Sequence, residues 1–203
     1  MRSLYLSHPQ VKVDPEVPVP QWGLSEVGRA RAEAFAAREL IAEGAIVFAS
    51  DERKAVELAD IVTASWGGAV ITDPAMGEND RSATGFLPPE KFEETANRFF
   101  AAPMESVDGW ERAIDAQRRI IEAVAGAMAR VRPGQTAVFC GHGGVGTLLK
   151  CYLGGWAIAR SEDQSRLADP GGGNGYVFDL MARKLYCDWT PMEDLTAELI
   201  EGV

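Results

Sequence analysis

Thr136-Ala137-Val138-Phe139-Cys140-Gly141-His142-Gly143-Gly144-Val145-Gly146 is the stretch on which the reading of this chain turns. Thr136 to Cys140 is a short apolar run with β-branched and aromatic members, the composition of a buried strand. Glycines end it, and the residues from Gly143 to about Gly154 have the length and apolar content of a helix. His142 therefore falls at the carboxyl end of a strand, where open α/β sheets bind ligands. Outward from there, the second of the chain's two histidines holds an equivalent place. His8 follows Leu4-Tyr5-Leu6-Ser7, the end of a strand from about Arg2 to Ser7. A lone histidine is more often structural, but two at strand ends, with none spent elsewhere, point to one paired site.

The remaining elements alternate. Pro9, Pro15, Pro18 and Pro20 make the loop after His8 extended. Ser25 caps a helix expected to end near Glu43-Gly44, and Ala45 to Ala49 forms a strand. Ser50 with Asp51 caps a helix to about Ser65, followed by a strand from Ala69 to Thr72. From Gly77 to Glu105 the pattern changes to glycines, prolines and phenylalanines among charges, an insertion carrying a helix from Pro89 to Ala101. Helical periodicity returns from Val107 to Val131. Two strands, Tyr176 to Met181 and Lys184 to Trp189, close the chain across a tight turn. The order implies an α/β fold: a three-layer α/β/α sandwich with a mostly parallel central sheet and an inserted cap region. A length of 203 residues fits one domain, 1–203, with the cap at about 77–105.

Composition narrows the partners. A net charge of −10 without any Lys/Arg run argues against nucleic acid and anionic membrane, so an anion site must build its positive potential locally. The 3 cysteines, Cys140, Cys151 and Cys187, share no ligand spacing with the histidines, which argues against zinc or a disulfide framework. No run approaches the ~20 apolar residues of a membrane span. The expectation is a soluble cytoplasmic domain, with a homo-oligomer left open.

Four motifs compete for the chemistry. Gly141 to Gly146 fits the dinucleotide signature G-x-G-x-x-G, but it falls too late in the chain for a second βαβ half, and Glu162 is not at a strand end. Thr147 stands where a P-loop needs lysine. What survives is an anion cradle of amides after His142, or a glycine-rich turn without a ligand. Ser50-Asp51-Glu52-Arg53-Lys54 puts two cations in the first turn of a helix, against the dipole. Either a bound anion offsets that cost, or Arg53 and Lys54 pair with Glu57 or Asp51. Glu78-Asn79-Asp80-Arg81 follows a strand, and Glu78 suits a proton donor if its pKa is raised. Cys140 reads as core, since Gly146 stands where a cysteine-phosphatase signature has arginine.

Taken together, these positions resemble the histidine phosphatase superfamily, the phosphoglycerate-mutase-like fold. The resemblance rests on Leu4 to His8, on Trp22 with Leu24-Ser25-Glu26-Val27-Gly28, on Ser50 to Ala59, on Glu78 and on Gly141-His142-Gly143-Gly144. It implies a metal-independent phosphomonoester hydrolase with no cofactor and a small phosphorylated substrate. His8 would be the nucleophile that becomes a phosphohistidine, His142 its phosphoryl-binding partner and Glu78 the acid. Where the family opens with Arg-His-Gly, this chain reads Ser7-His8-Pro9, and Lys54 stands at the family's second arginine. Lysine lacks arginine's bidentate fork. The candidate phosphate contacts are then Ser7, Arg53, Lys54, Arg81 and Gly143, and the other reading of the same fold is a phosphoanion-binding or regulatory protein without turnover.

Overall fold

Uninterrupted apolar runs must be buried on both faces, and in the computed structural model, which describes residues 1–202, they form the middle of the sheet. β1 (Ser3–Ser7), β2 (Ile46–Ala49), β3 (Val70–Thr72) and β4 (Ala137–Gly141) pair in parallel. An antiparallel edge follows, built from β5 (Asn174–Asp179), β6 (Lys184–Leu185) and β7 (Thr190–Pro191). The order is β3-β2-β4-β1-β5-β6, with β7 also on β5. β1 lies beside β4 with Ser7 opposite Gly141, so the next residue of each strand, His8 and His142, leaves the sheet side by side. The His8 N–H extends the ladder to the Gly141 carbonyl at 2.9 Å.

Side chains of β1 alternate between two cores. Leu4 and Leu6 join Val47, Val138 and Val177 under α1 (Glu26–Ala36) and α2 (Arg53–Thr63). Tyr5 joins Phe139, Tyr176 and Phe178 under α4 (Ala113–Met128) and α5 (Gly143–Gly154). Tyr5 and Tyr176 stack at 5.2 Å between ring centroids, and each buried large side chain contributes about 1.5–3 kcal/mol. Three layers result, as expected.

The helix of the 77–105 segment, α3, spans Pro89–Ala101 and lays Phe99 and Phe100 on the second core. Short helices α6 (Gln164–Leu167) and α7 (Ala197–Glu201) complete the chain.

Element ends depart from expectation for local reasons. α1 stops at Ala36, well before Glu43-Gly44, because Arg38 turns to donate to the carbonyls of Met192, Glu193 and Leu195 and Glu39 takes a left-handed φ of 51°. α4 starts at Ala113 and not Val107, after Asp108 and Gly109 at φ 52° and 82°. The final hairpin is shorter than expected and shifted: Asp179 ends β5 by accepting from the Ala182 N–H. α2 begins at Arg53 with Glu52 as its cap residue, whereas Ser50 accepts from the Glu52 N–H ahead of the helix.

Candidate active site

The two imidazoles meet edge to face, 5.2 Å between centroids. His8 is half-buried, and its Nδ1 lies 2.9 Å from the Pro9 carbonyl. A carbonyl only accepts, so Nδ1 carries the proton. Burial, reinforced by His142 and Lys54, pushes the His8 pKa down to about 3, so the ring is neutral and its lone pair sits on Nε2. Proline at position 9 withholds an N–H but keeps the carbonyl that sets this tautomer.

His142 is fully buried at the entrance of α5. Its Nε2 lies 2.8 Å from Ser50 Oγ and 3.4 Å from Glu52 Oε1, while Nδ1 is buried with no hydrogen-bond partner among the described residues. Burial also lowers the His142 pKa, against the pull of Glu52 and Glu78.

Glu52, to which the sequence assigned no role, is a hub. It receives Lys54 Nζ, stands beside His142 and accepts from the Glu78 N–H at 2.9 Å. Desolvation works against its charge, but His142, Lys54 and the Glu78 amide outweigh it and hold the carboxyl at about 2. Lys54, 3% exposed, also donates to the Val19 carbonyl at 3.0 Å. This cation is committed to neighbours.

As with Lys54, two more phosphate candidates are engaged elsewhere, Arg53 and Ser7. Arg53 is exposed and pairs with Glu57 at 2.7 Å, lining a separate hollow of about 750 Å³ that neither histidine borders. That is the surface pairing weighed against anion binding. Ser7 is wholly buried and engaged, donating to Gln164 Oε1 at 2.6 Å and accepting from the Asn174 N–H at 3.1 Å. It is too short and too occupied to touch a phosphoryl group.

Glu78 departs from the expected proton donor. Its carboxylate accepts from the N–H groups of Gly144 at 3.0 Å and Val145 at 2.9 Å, so it fills the helix terminus read as an anion cradle. Burial raises its pKa, but Arg81, His142 and the amides outweigh that, and the net shift is downward. In this arrangement it is an ionised cap.

Arg81 faces a cavity of about 210 Å³ shared with His8, Glu78, Asn79 and Gly143. Its guanidinium lies 5.2 Å from the Phe92 ring centroid and 5.5 Å from that of Trp110, and it makes no ion pair among the described residues. A second hollow of about 580 Å³, under Pro18 to Pro20, adjoins through Glu78, Asn79 and Arg81. Phe92, Phe99 and Phe100 of α3 wall the first cavity. Arg160 also lines it, but Glu93 and Asp163 hold it at 2.8 and 3.2 Å.

Sequence reasoning missed Asn79, Arg160 and Gln164. Asn79 is 6% exposed, and its buried Nδ2 has no partner although the residue lines the cavity. Its one signal was its place beside Glu78. Arg160 lies in a short turn before α6 and Gln164 opens that helix, and only the tertiary fold sets where this polar segment sits. Cys140 is core as read, 1% exposed with its thiol pKa pushed up by burial.

The fold is shared with solved structures at low sequence identity. YhfR of Bacillus stearothermophilus superposes with a TM-score of 0.72 at 21% identity, over 88% of this chain and 90% of that one. Mycobacterial glucosyl-3-phosphoglycerate phosphatase gives 0.67 at 21% identity, over 87% and 88%. The Rv3214 reading frame of Mycobacterium tuberculosis gives 0.70 at 20% identity, over 94% and 98%. No curated protein matches the sequence. A family model matches residues 15–167, from the proline-rich loop through Lys54, Glu78 and His142 to the end of α6, and on that match the chain belongs to the histidine phosphatase superfamily (branch 1).

Proposed function

We propose that the protein is a metal-independent phosphomonoester hydrolase that acts through a phosphohistidine on His8. The observation that carries this reading is the tautomer: the Pro9 carbonyl holds the Nδ1 proton, so Nε2 meets the substrate with a free lone pair. Nε2 bonds to phosphorus as the bond to the leaving oxygen breaks. Arg81 is the unpaired cation that lines the cavity with His8 and faces the transferred oxygens, and His142, packed edge to face on His8, has its Nδ1 unspent as a further donor.

Glu78 supplies the proton by exchange. A phosphoryl oxygen that takes the Gly144 and Val145 amides releases the carboxylate, and loss of two donors beside a new anion raises its pKa. Protonated, it gives its proton to the leaving oxygen. The resulting carboxylate then takes a proton from the water that displaces Nε2 from phosphorus.

A second reading, phosphoanion binding without turnover, draws on Ser7 and Lys54, both committed to protein partners. Hydrolysis of an aryl phosphate separates the two. The hydrolase reading expects turnover that falls at least roughly a thousandfold in His8→Ala, about 4 kcal/mol. Phosphate binding with no turnover in the parent would favour the second.

A further inference from the structure

Ser7 leaves the phosphoryl site without the cation that the resemblance places there, and the structure shows what that serine holds. The chain of bonds starts at an unambiguous donor. The Asp169 N–H reaches Asn174 Oδ1 at 3.1 Å, so the Asn174 amide nitrogen must face the other way. That Nδ2 donates to the Asp169 carbonyl at 2.8 Å and to Gln164 Oε1 at 2.9 Å. Ser7 Oγ reaches the same Gln164 oxygen at 2.6 Å. Two donors on Oε1 leave the Gln164 side chain one orientation, with Nε2 turned away from both.

Nε2 then lies against Gly143 at the start of α5. A Cβ on Gly143 would sit 2.1 Å from it, so only glycine lets the amide occupy this place. Gln164 lines the same cavity as His8 and Arg81, and its Nε2 has no acceptor among the described residues. The donor is thus oriented and unspent, beside Gly143 in the cavity that His8 also lines.

We infer that Gln164 Nε2 is a phosphoryl-oxygen donor of this site, standing in for the missing arginine, with Ser7 and Asn174 as the positioning residues that aim it. The inference rests on the phosphatase reading and deepens it. A neutral amide replaces a cation, so the site binds phosphate by oriented hydrogen bonds and the single charge of Arg81. Gly143 takes part by its lack of a side chain.

Calorimetric titration with inorganic phosphate tests this on three proteins. Gln164→Glu keeps an acceptor for Ser7 and Asn174 and replaces the donor with a carboxylate oxygen, so affinity should fall at least roughly tenfold. Gln164→Met removes the donor without adding charge and should lose a smaller but measurable factor, about fivefold or more. As pH is lowered toward the titration of the new carboxyl, the defect of Gln164→Glu should shrink, since a protonated carboxyl donates again. The defect of Gln164→Met should not. A merely structural glutamine would not give that difference. Both variants binding within twofold of a parent that binds phosphate would overturn the inference and leave the phosphatase reading standing. A parent that binds no phosphate would overturn both.

Discussion

His8 and His142 carry the account at the scale of single residues, and each has a pKa lowered by burial. For His8 the folded value is about 3 against an ordinary 6.5. Below pH 6.5 the unfolded chain therefore binds a proton that the folded chain refuses. Stability is intact above 6.5 and declines as pH falls toward 3, by at most about 1.4 kcal/mol per pH unit from this group. Thermal melts across that range should show His8→Asn losing less stability on acidification than the parent. Parallel decline in the two proteins would mean that His8 is protonated as readily in the folded state. Much of the residue level was legible: two histidines at strand ends is a local pattern, and Glu78 follows the third strand. Gln164, Asn79 and Glu52 were not: Glu52 meets Glu78 and His142, and Asn79 reaches the cavity, only in the folded chain. Gln164 acquires its orientation only when Ser7, Asp169 and Asn174 meet around it.

Among the elements, α5 ties the site to the sheet. Its first turn receives Glu78, and in the same turn Gly146 lies against the rings that floor the helix. A Cβ there would stand 2.6 Å from Tyr5 and 2.9 Å from Trp189, both packed rigidly with Tyr176. Gly146→Ala should therefore cost about 1–3 kcal/mol, read as a lowered urea midpoint with an unchanged slope. An unshifted midpoint would mean that α5 rides more loosely on β1 than its contacts indicate. The long helices were legible and the bounds of α3 and α5 coincide with their expected spans, whereas the short α6 and α7 have too few residues to show a period. The ends of α1 and α4 were not legible, because the bonds of Arg38 and the left-handed residues Glu39 and Asp108 override a favourable helical pattern.

Over the whole molecule, parallel pairing of β1 with β4 is the step that makes a site from two separated histidines. Strand-helix alternation made that sheet legible, whereas the register that sets Ser7 against Gly141 was not, since nothing local specifies it. On the phosphatase reading, a chain of net charge −10 must draw a phosphorylated substrate through local donors, those of the cavity under α3. In the proposed mechanism those donors hold phosphorus in line with His8 Nε2. Rapid quench into alkali after mixing with a labelled aryl phosphate tests it most directly. The account predicts a base-stable, acid-labile phosphate on the parent, found on His8 by peptide mapping and missing from His8→Ala, with slower labelling in His142→Ala. Label that persists at full level without His8 would contradict it.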